Sequence, residues 1–140
     1  MGSEHTAKAF DDDLQELNRL VAEMGGLAER QIVDSVDALI RRDVTLGKRV
    51  VAADLEIDKL QHLIEERAVL TIARRQPMAV DLREIVSSMR VATDLERIGD
   101  LSKNIGKRVS ALDSDFHPLK LIRGLEHMTD LVQSQVKSVH

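Results

Sequence analysis

A chain of 140 residues with 43% hydrophobic and 31% charged side chains has the composition of an ordinary globular domain with room for a real core. Its 20 Lys and Arg against 24 Asp and Glu, a formal charge of −4 with both signs interspersed, give no broad positive field and so argue against a nucleic-acid partner. The absence of Cys excludes disulfides, thiolate metal sites and a cysteine nucleophile and suits a reducing cytoplasm, while two prolines and 1% aromatic residues disfavour sandwiches and barrels and leave helices.

Residues 1–9 read as an N-terminal tail without the basic and apolar regions of a secretory signal, and no later stretch approaches the roughly 20 apolar residues of a membrane span. The expectation is a protein neither secreted by a signal peptide nor integral to a membrane. From Phe10 the apolar residues Leu14, Leu17, Val21, Met24, Ala28, Ile32, Val36 and Leu39 recur every three or four positions, which predicts a first helix over about 8–41. Gly25 and Gly26 interrupt it and mark a kink or a close-packed position.

Asp43 is a suitable cap for a second helix, whose stripe runs through Leu46, Val50, Ala53, Ile57, Leu60, Ile64, Ala68 and Thr71. The turn before it is short, so the two helices should run antiparallel. Arg74 and Arg75 fall in the last turn, where cations suit the negative end of the helix dipole, and Pro77 ends the helix. A third helix begins near 79–81 with Asp81 in its first turn. Its stripe starts with Leu82, Ile85, Val86 and Met89 and continues on a shifted face through Ile98, Leu101, Ile105, Val109 and Leu112, with Gly99 and Gly106 as packing positions. The segment 113–118, DSDFHP, has linker chemistry, and a fourth helix runs over 119–140. Helices of about 30 residues reach about 45 Å, so the expected fold is an all-α, elongated three-helix bundle over 10–112.

A period of 104 residues relates Leu17, Met24, Leu27, Gln31 and Ile32 to Leu121, Met128, Leu131, Gln135 and Val136. It makes the fourth helix the first helix of a second, incomplete repeat. Its stripe of Leu121, Leu125, Met128, Leu131, Val132 and Val136 then lacks two partner helices, which predicts association with another copy, by exchange of helices between protomers, into a homo-oligomer.

Two acid pairs carry the chemistry. Asp54 and Asp58 lie four apart on the second helix, on a line extended by Gln61 and Glu65. Glu96 and Asp100 lie four apart on the third, followed at the same spacing by Asn104, and continue the line of Leu82, Val86, Met89 and Thr93 where the face would otherwise be buried. Spacing alone favours solvated faces, because like charges at this separation cost only about 0.2 to 0.5 kcal/mol and nearby Arg or Lys can offset them. Should the pairs converge, they would form an oxygen cage for a hard or borderline cation. Among the histidines only His62 stands four residues from one of these acids, and no Glu-x-x-His occurs, which weakens a ferritin-like di-iron reading.

The segments AADLEIDKLQHLIEE, ARRQPMAVDLREIVSSMR and ATDLERIGDLSKNI together resemble the second helix, turn and third helix of a PhoU-family repeat, in order and at the right separations. The resemblance implies two three-helix repeats, and E(D)xxxD motifs that bind multinuclear metal clusters. It also implies a non-enzymatic role restraining the phosphate-starvation response, by linking a phosphate ABC transporter to a sensor histidine kinase. It would place the protein in the cytoplasm, at the inner membrane through those partners. The metal motif carries over to Glu96 and Asp100 and to Asp54 and Asp58, with Asn104 a lesser candidate, for iron, zinc, manganese or magnesium. Arg74, Arg75, Gln76 and Pro77 are read as a helix stop. The competing classes are a metal-dependent helical enzyme, for which nothing selects a substrate, and a phosphotransfer bundle using His62, where LIEERA follows instead of the Lys and Gly that a phosphoryl group needs. No nucleophile with an adjacent base and no phosphate-cradling glycine loop is present.

Overall fold

The computed structural model describes residues 2–111 and 119–139, and within them the chain forms four helices, α1 Gly2–Arg41, α2 Val44–Arg75, α3 Ala79–Ala111 and α4 Leu119–Val139. The linker expected over 113–118 lies outside the described residues. Among the described residues no helix is long and apolar enough to cross a membrane.

The α1–α2 turn is closed by side-chain and main-chain chemistry together. Asp43 is extended, at φ −87 and ψ 94, and its carboxylate accepts a hydrogen bond from the Leu46 amide. Arg42 takes a left-handed φ of 55, and the Asp43 amide donates to the Ala38 carbonyl at 2.9 Å, the reach-back bond that ends many helices. At the other end of α2, Gln76 is left-handed, at φ 45 and ψ 60, and its amide bonds the Ile72 carbonyl before Pro77 stops the helix. Both turns are too short for anything but antiparallel neighbours.

The tail expected over 1–9 is not separate, since α1 starts at Gly2. No breaker follows Gly2, and Ala7, Lys8 and Ala9 are strong helix formers that extend the helix toward the N-terminus. Gly25 and Gly26 likewise leave α1 unbroken; Gly25 is buried, while the space beside Gly26 is open.

Helices α1, α2 and α3 pack pairwise into a three-helix bundle. One apolar cluster gathers Leu17, Leu20, Met24, Ile57, Ile64, Ile85 and Leu95, and a second gathers Ile32, Leu39, Ile105 and Val109. Helix α4 lies along α1, with Val136 buried in the first cluster and Leu125 packed on the second. Its direction is therefore antiparallel to α1. This corrects in part the expectation of an uncovered stripe on the fourth helix: Leu125, Val132 and Val136 are covered, while Leu131 stays 52% exposed. Thr129 and Val136 are buried against the chain's own bundle, and α1 supplies that cover because its outer face is apolar as well.

The buried face of α3 also differs from the expected stripe. Leu82 is 37% exposed, and the residues turned inward are Ile85, Ser88, Ala92, Leu95, Gly99, Ser102, Ile105, Gly106 and Val109. Small residues let α2 approach closely: a Cβ on Gly106 would stand 2.8 Å from the Gly47 carbonyl oxygen. Hydropathy does not register such a face, which is why the large apolar residues of α3 trace two offset stripes.

Candidate metal centre

Where α2 and α3 cross at Gly99, an ideal Cβ on that residue would lie 3.0 Å from Asp54 Oδ1 and 3.1 Å from Ile57 Cδ1. The missing side chain makes the room that Asp54 fills. Asp54 is 2% exposed, and among the described residues it is the one buried side chain that carries a charge.

The other buried polar residues have hydrogen-bond partners. Ser35, Thr71, Ser88, Ser102 and Thr129 each donate a hydroxyl to a carbonyl three or four residues back, and Gln31 Nε2 donates to the Val50 carbonyl at 3.0 Å. Asp54 is different. Its Oδ1 is buried without a hydrogen-bond donor, and its Oδ2 faces Lys103 Nζ at 3.7 Å, too long for a hydrogen bond.

The remaining acids surround it electrostatically. Burial, then the charges of Asp58 and Asp100, push the Asp54 carboxyl above its ordinary value, and Lys103 opposes them. Glu96 is also pushed up, by burial first, then by a hydrogen bond with Asp100 and by the charges of Asp100, Asp58 and Asp54. The structure thus brings the two sequence-predicted pairs together, each of the four acids acting on another. Their placement departs from expectation in one respect. Glu96 is half-buried and Asp100 exposed, beside the core face and not on it, and the acid that enters the core is Asp54 of the other helix.

The donor set is all carboxylate, which suits magnesium, manganese, iron or zinc in an oxygen environment. The orphaned Asp54 oxygen and the mutually opposed charges are what a cation would satisfy, so the residues fit the group. Among the described residues, however, no three His, Cys, Asp or Glu side chains stand close enough to share one ion, so the carboxylates are neighbours without forming a coordination shell. Asn104 and His62 are exposed. Two partners escaped sequence reasoning. Lys103 sits three residues beyond Asp100 and seven beyond Glu96, a spacing that does place it on their face. Arg75, read only as a helix stop, also binds Asp13 at 3.0 Å and ties the end of α2 to the start of α1.

Comparison with known proteins gives the following. The PhoU domain family matches residues 21–109. A phosphate-specific transport system accessory protein PhoU homolog of Rhizobium meliloti is 50% identical over 139 residues, covering 99% of this chain and 59% of its own length. One of the same description from Caulobacter vibrioides is 45% identical, over 98% of this chain and 60% of its own length. The crystal structure of PhoU from Pseudomonas aeruginosa superposes with a TM-score of 0.80 at 34% identity, over 91% of this chain and 61% of that one. The chain therefore spans about three fifths of the length of the relatives it matches.

Proposed function

The chain belongs to the PhoU family, and on that footing we propose that it carries one three-helix repeat, 10–112, and the first helix of a second, 119–140, of a non-enzymatic, metal-binding regulator of phosphate uptake and phosphate-starvation signalling. The relatives' names describe accessory proteins of a phosphate transport system, which supports the regulatory role. Its partners are a phosphate ABC transporter and a sensor histidine kinase, which it links as a homo-oligomer in the cytoplasm, at the inner membrane through those partners.

The observation that carries the metal reading is Asp54, a buried carboxylate with a donorless oxygen at the crossing of the two helices that bear the acid pairs. Asp54 and Asp58 from α2 and Glu96 and Asp100 from α3 would hold a divalent or trivalent ion and join the helices through it. An ion there removes the repulsion among the acids and ties α2 to α3, so occupancy stabilises the bundle. Metal content and melting temperature, with and without metal, are compared for Glu96→Ala/Asp100→Ala and Asp54→Ala/Asp58→Ala. Both pairs are expected to lose bound metal and the metal-dependent rise in melting temperature; retention of both quantities by both variants refutes the site. For the signalling role, deleting the gene should leave phosphate-starvation genes expressed in rich phosphate. Unchanged expression, with no contact to transporter or kinase in a pull-down, refutes that part.

A further inference from the structure

A cation already reaches the acidic surface. Lys103 lies one turn beyond Gly99 on α3, and its Nζ stands 3.7 Å from Asp54 Oδ2. The lysine side chain is 35% exposed, whereas that of Asp54 is 3% exposed. The separation is Coulombic contact without a hydrogen bond, and Oδ1 stays without a donor, so Lys103 neutralises Asp54 but does not saturate it. Arg97, next to Glu96 in sequence, turns instead to Asp94 at 3.5 Å.

A metal ion needs the same carboxylate oxygens, at about 2.0 to 2.6 Å, and an ammonium beside Oδ2 occupies the same electrostatic well. Lysine is suited to leaving it. Its charge is a compact point on a flexible stem with no fixed fork to hold it, and a partly exposed lysine can carry that charge back into water while its stem stays packed.

We propose that Lys103 is a built-in counter-cation that holds the acidic surface in the metal-free protein and is displaced when metal binds, so that it sets the metal affinity of the centre. This rests on the metal reading of the preceding section. A merely structural ion pair would contribute stability and nothing else. A competitor has two opposed effects: its removal destabilises the metal-free protein and tightens metal binding.

The experiment uses this chain with Mn²⁺ and Zn²⁺ as probes, and compares wild type with Lys103→Met and with Lys103→Gln, which keeps a polar end should the methionine variant fold poorly. Melting is followed in EDTA, and metal dissociation constants are measured by calorimetry. Both variants are expected to melt lower than wild type in EDTA and to bind Mn²⁺ roughly tenfold tighter, the size of the repulsion that a unit charge exerts on a divalent ion about 6 Å away in water. In wild type, Zn²⁺ titration should shift the Lys103 Cε–H signals in NMR. Equal or weaker Mn²⁺ binding by the variants, with wild type binding normally, overturns the role of Lys103 and leaves the metal centre standing. Unmoved Lys103 signals on loading overturn the displacement. Absence of Mn²⁺ and Zn²⁺ binding by all three proteins overturns the metal centre and this inference with it.

Discussion

Replacing Gly99 with alanine tests whether α3 carries glycine there because Asp54 needs the space. At an unhindered helical position the exchange gains up to about 1 kcal/mol, because glycine loses more backbone freedom on folding. At Gly99 the new methyl would stand 3.0 Å from Asp54 Oδ1, 3.1 Å from Ile57 Cδ1 and 3.3 Å from Ile57 Cγ2. Both side chains are buried, so relief has to come from a shift of α2, and overpacking of this kind costs about 1 to 3 kcal/mol. The net expectation is a loss of about 1 kcal/mol, or about 3 to 4 °C in melting temperature for a chain of this length. Gly26→Ala is the control, since nothing lies within 4 Å of its new methyl, and it should keep most of the propensity gain and melt about 2 to 3 °C higher than wild type. Thermal unfolding by circular dichroism in EDTA reads both. Because the Gly99 methyl displaces Asp54 Oδ1, the rise in melting temperature on adding Mn²⁺ should shrink in Gly99→Ala and persist in Gly26→Ala. A Gly99→Ala protein that melts as high as Gly26→Ala refutes the packing argument.

The pH dependence of the metal-free protein should run opposite to that of ordinary paired carboxylates. Asp54 and Glu96 are held above their usual values in the folded state, so just above the normal carboxylate range, near pH 4, the native protein binds more protons than the unfolded chain. Their contribution to stability is therefore present at low pH and lost as pH rises through their raised values. Urea unfolding across that window should show a falling term that Asp54→Asn reduces, leaving the part owed to Glu96; identical pH profiles for the two proteins would exclude it. Asp43→Ala removes the carboxylate that accepts from the Leu46 amide and should cost about 1 kcal/mol, measured as a lower urea midpoint at unchanged slope. A midpoint equal to wild type would mean that the reach-back bond from Asp43 to Ala38 alone fixes the turn.

Much of the architecture was legible because each signal was local. Asp43 as a cap, Pro77 as a stop and the three-to-four spacing along α1 and α2 depend on neighbours within one or two turns, and the structure follows them. What sequence reasoning lost was set by contacts across the bundle. The inward face of α3 sets Ser88, Ala92, Gly99, Ser102 and Gly106 among Ile85, Leu95, Ile105 and Val109, and because the small residues are chosen for size and not for hydropathy, the pattern of large apolar residues caught only part of that face. The covering of α4 by α1 was likewise invisible, since a stripe does not say whether its partner lies in the same chain or another.

At the site the spacing identified the four acids but not their inequality. Four carboxylates at i and i+4 on antiparallel helices look alike in sequence, whereas in the fold one of them, Asp54, is carried into the core and Asp100 stays at the surface. Helix cores have a cheap way to bury polarity, and this chain uses it at Ser35, Thr71, Ser88, Ser102 and Thr129, each satisfied by its own helix. An aspartate in the same place has no such recourse, because a carboxylate accepts and cannot donate to a carbonyl. Its burial with a donorless oxygen works against stability, and a core optimised only for packing would carry Ser, Ala or Leu at position 54. The sequence instead keeps the acid, opens Gly99 to admit it, and supplies a single partly exposed lysine to neutralise it. The compensation is incomplete, since Oδ1 keeps no donor, and a local rule left broken points to a function that uses the defect. On the proposed metal reading, a cation that binds carboxylate oxygens would turn this particular defect into a contact between α2 and α3.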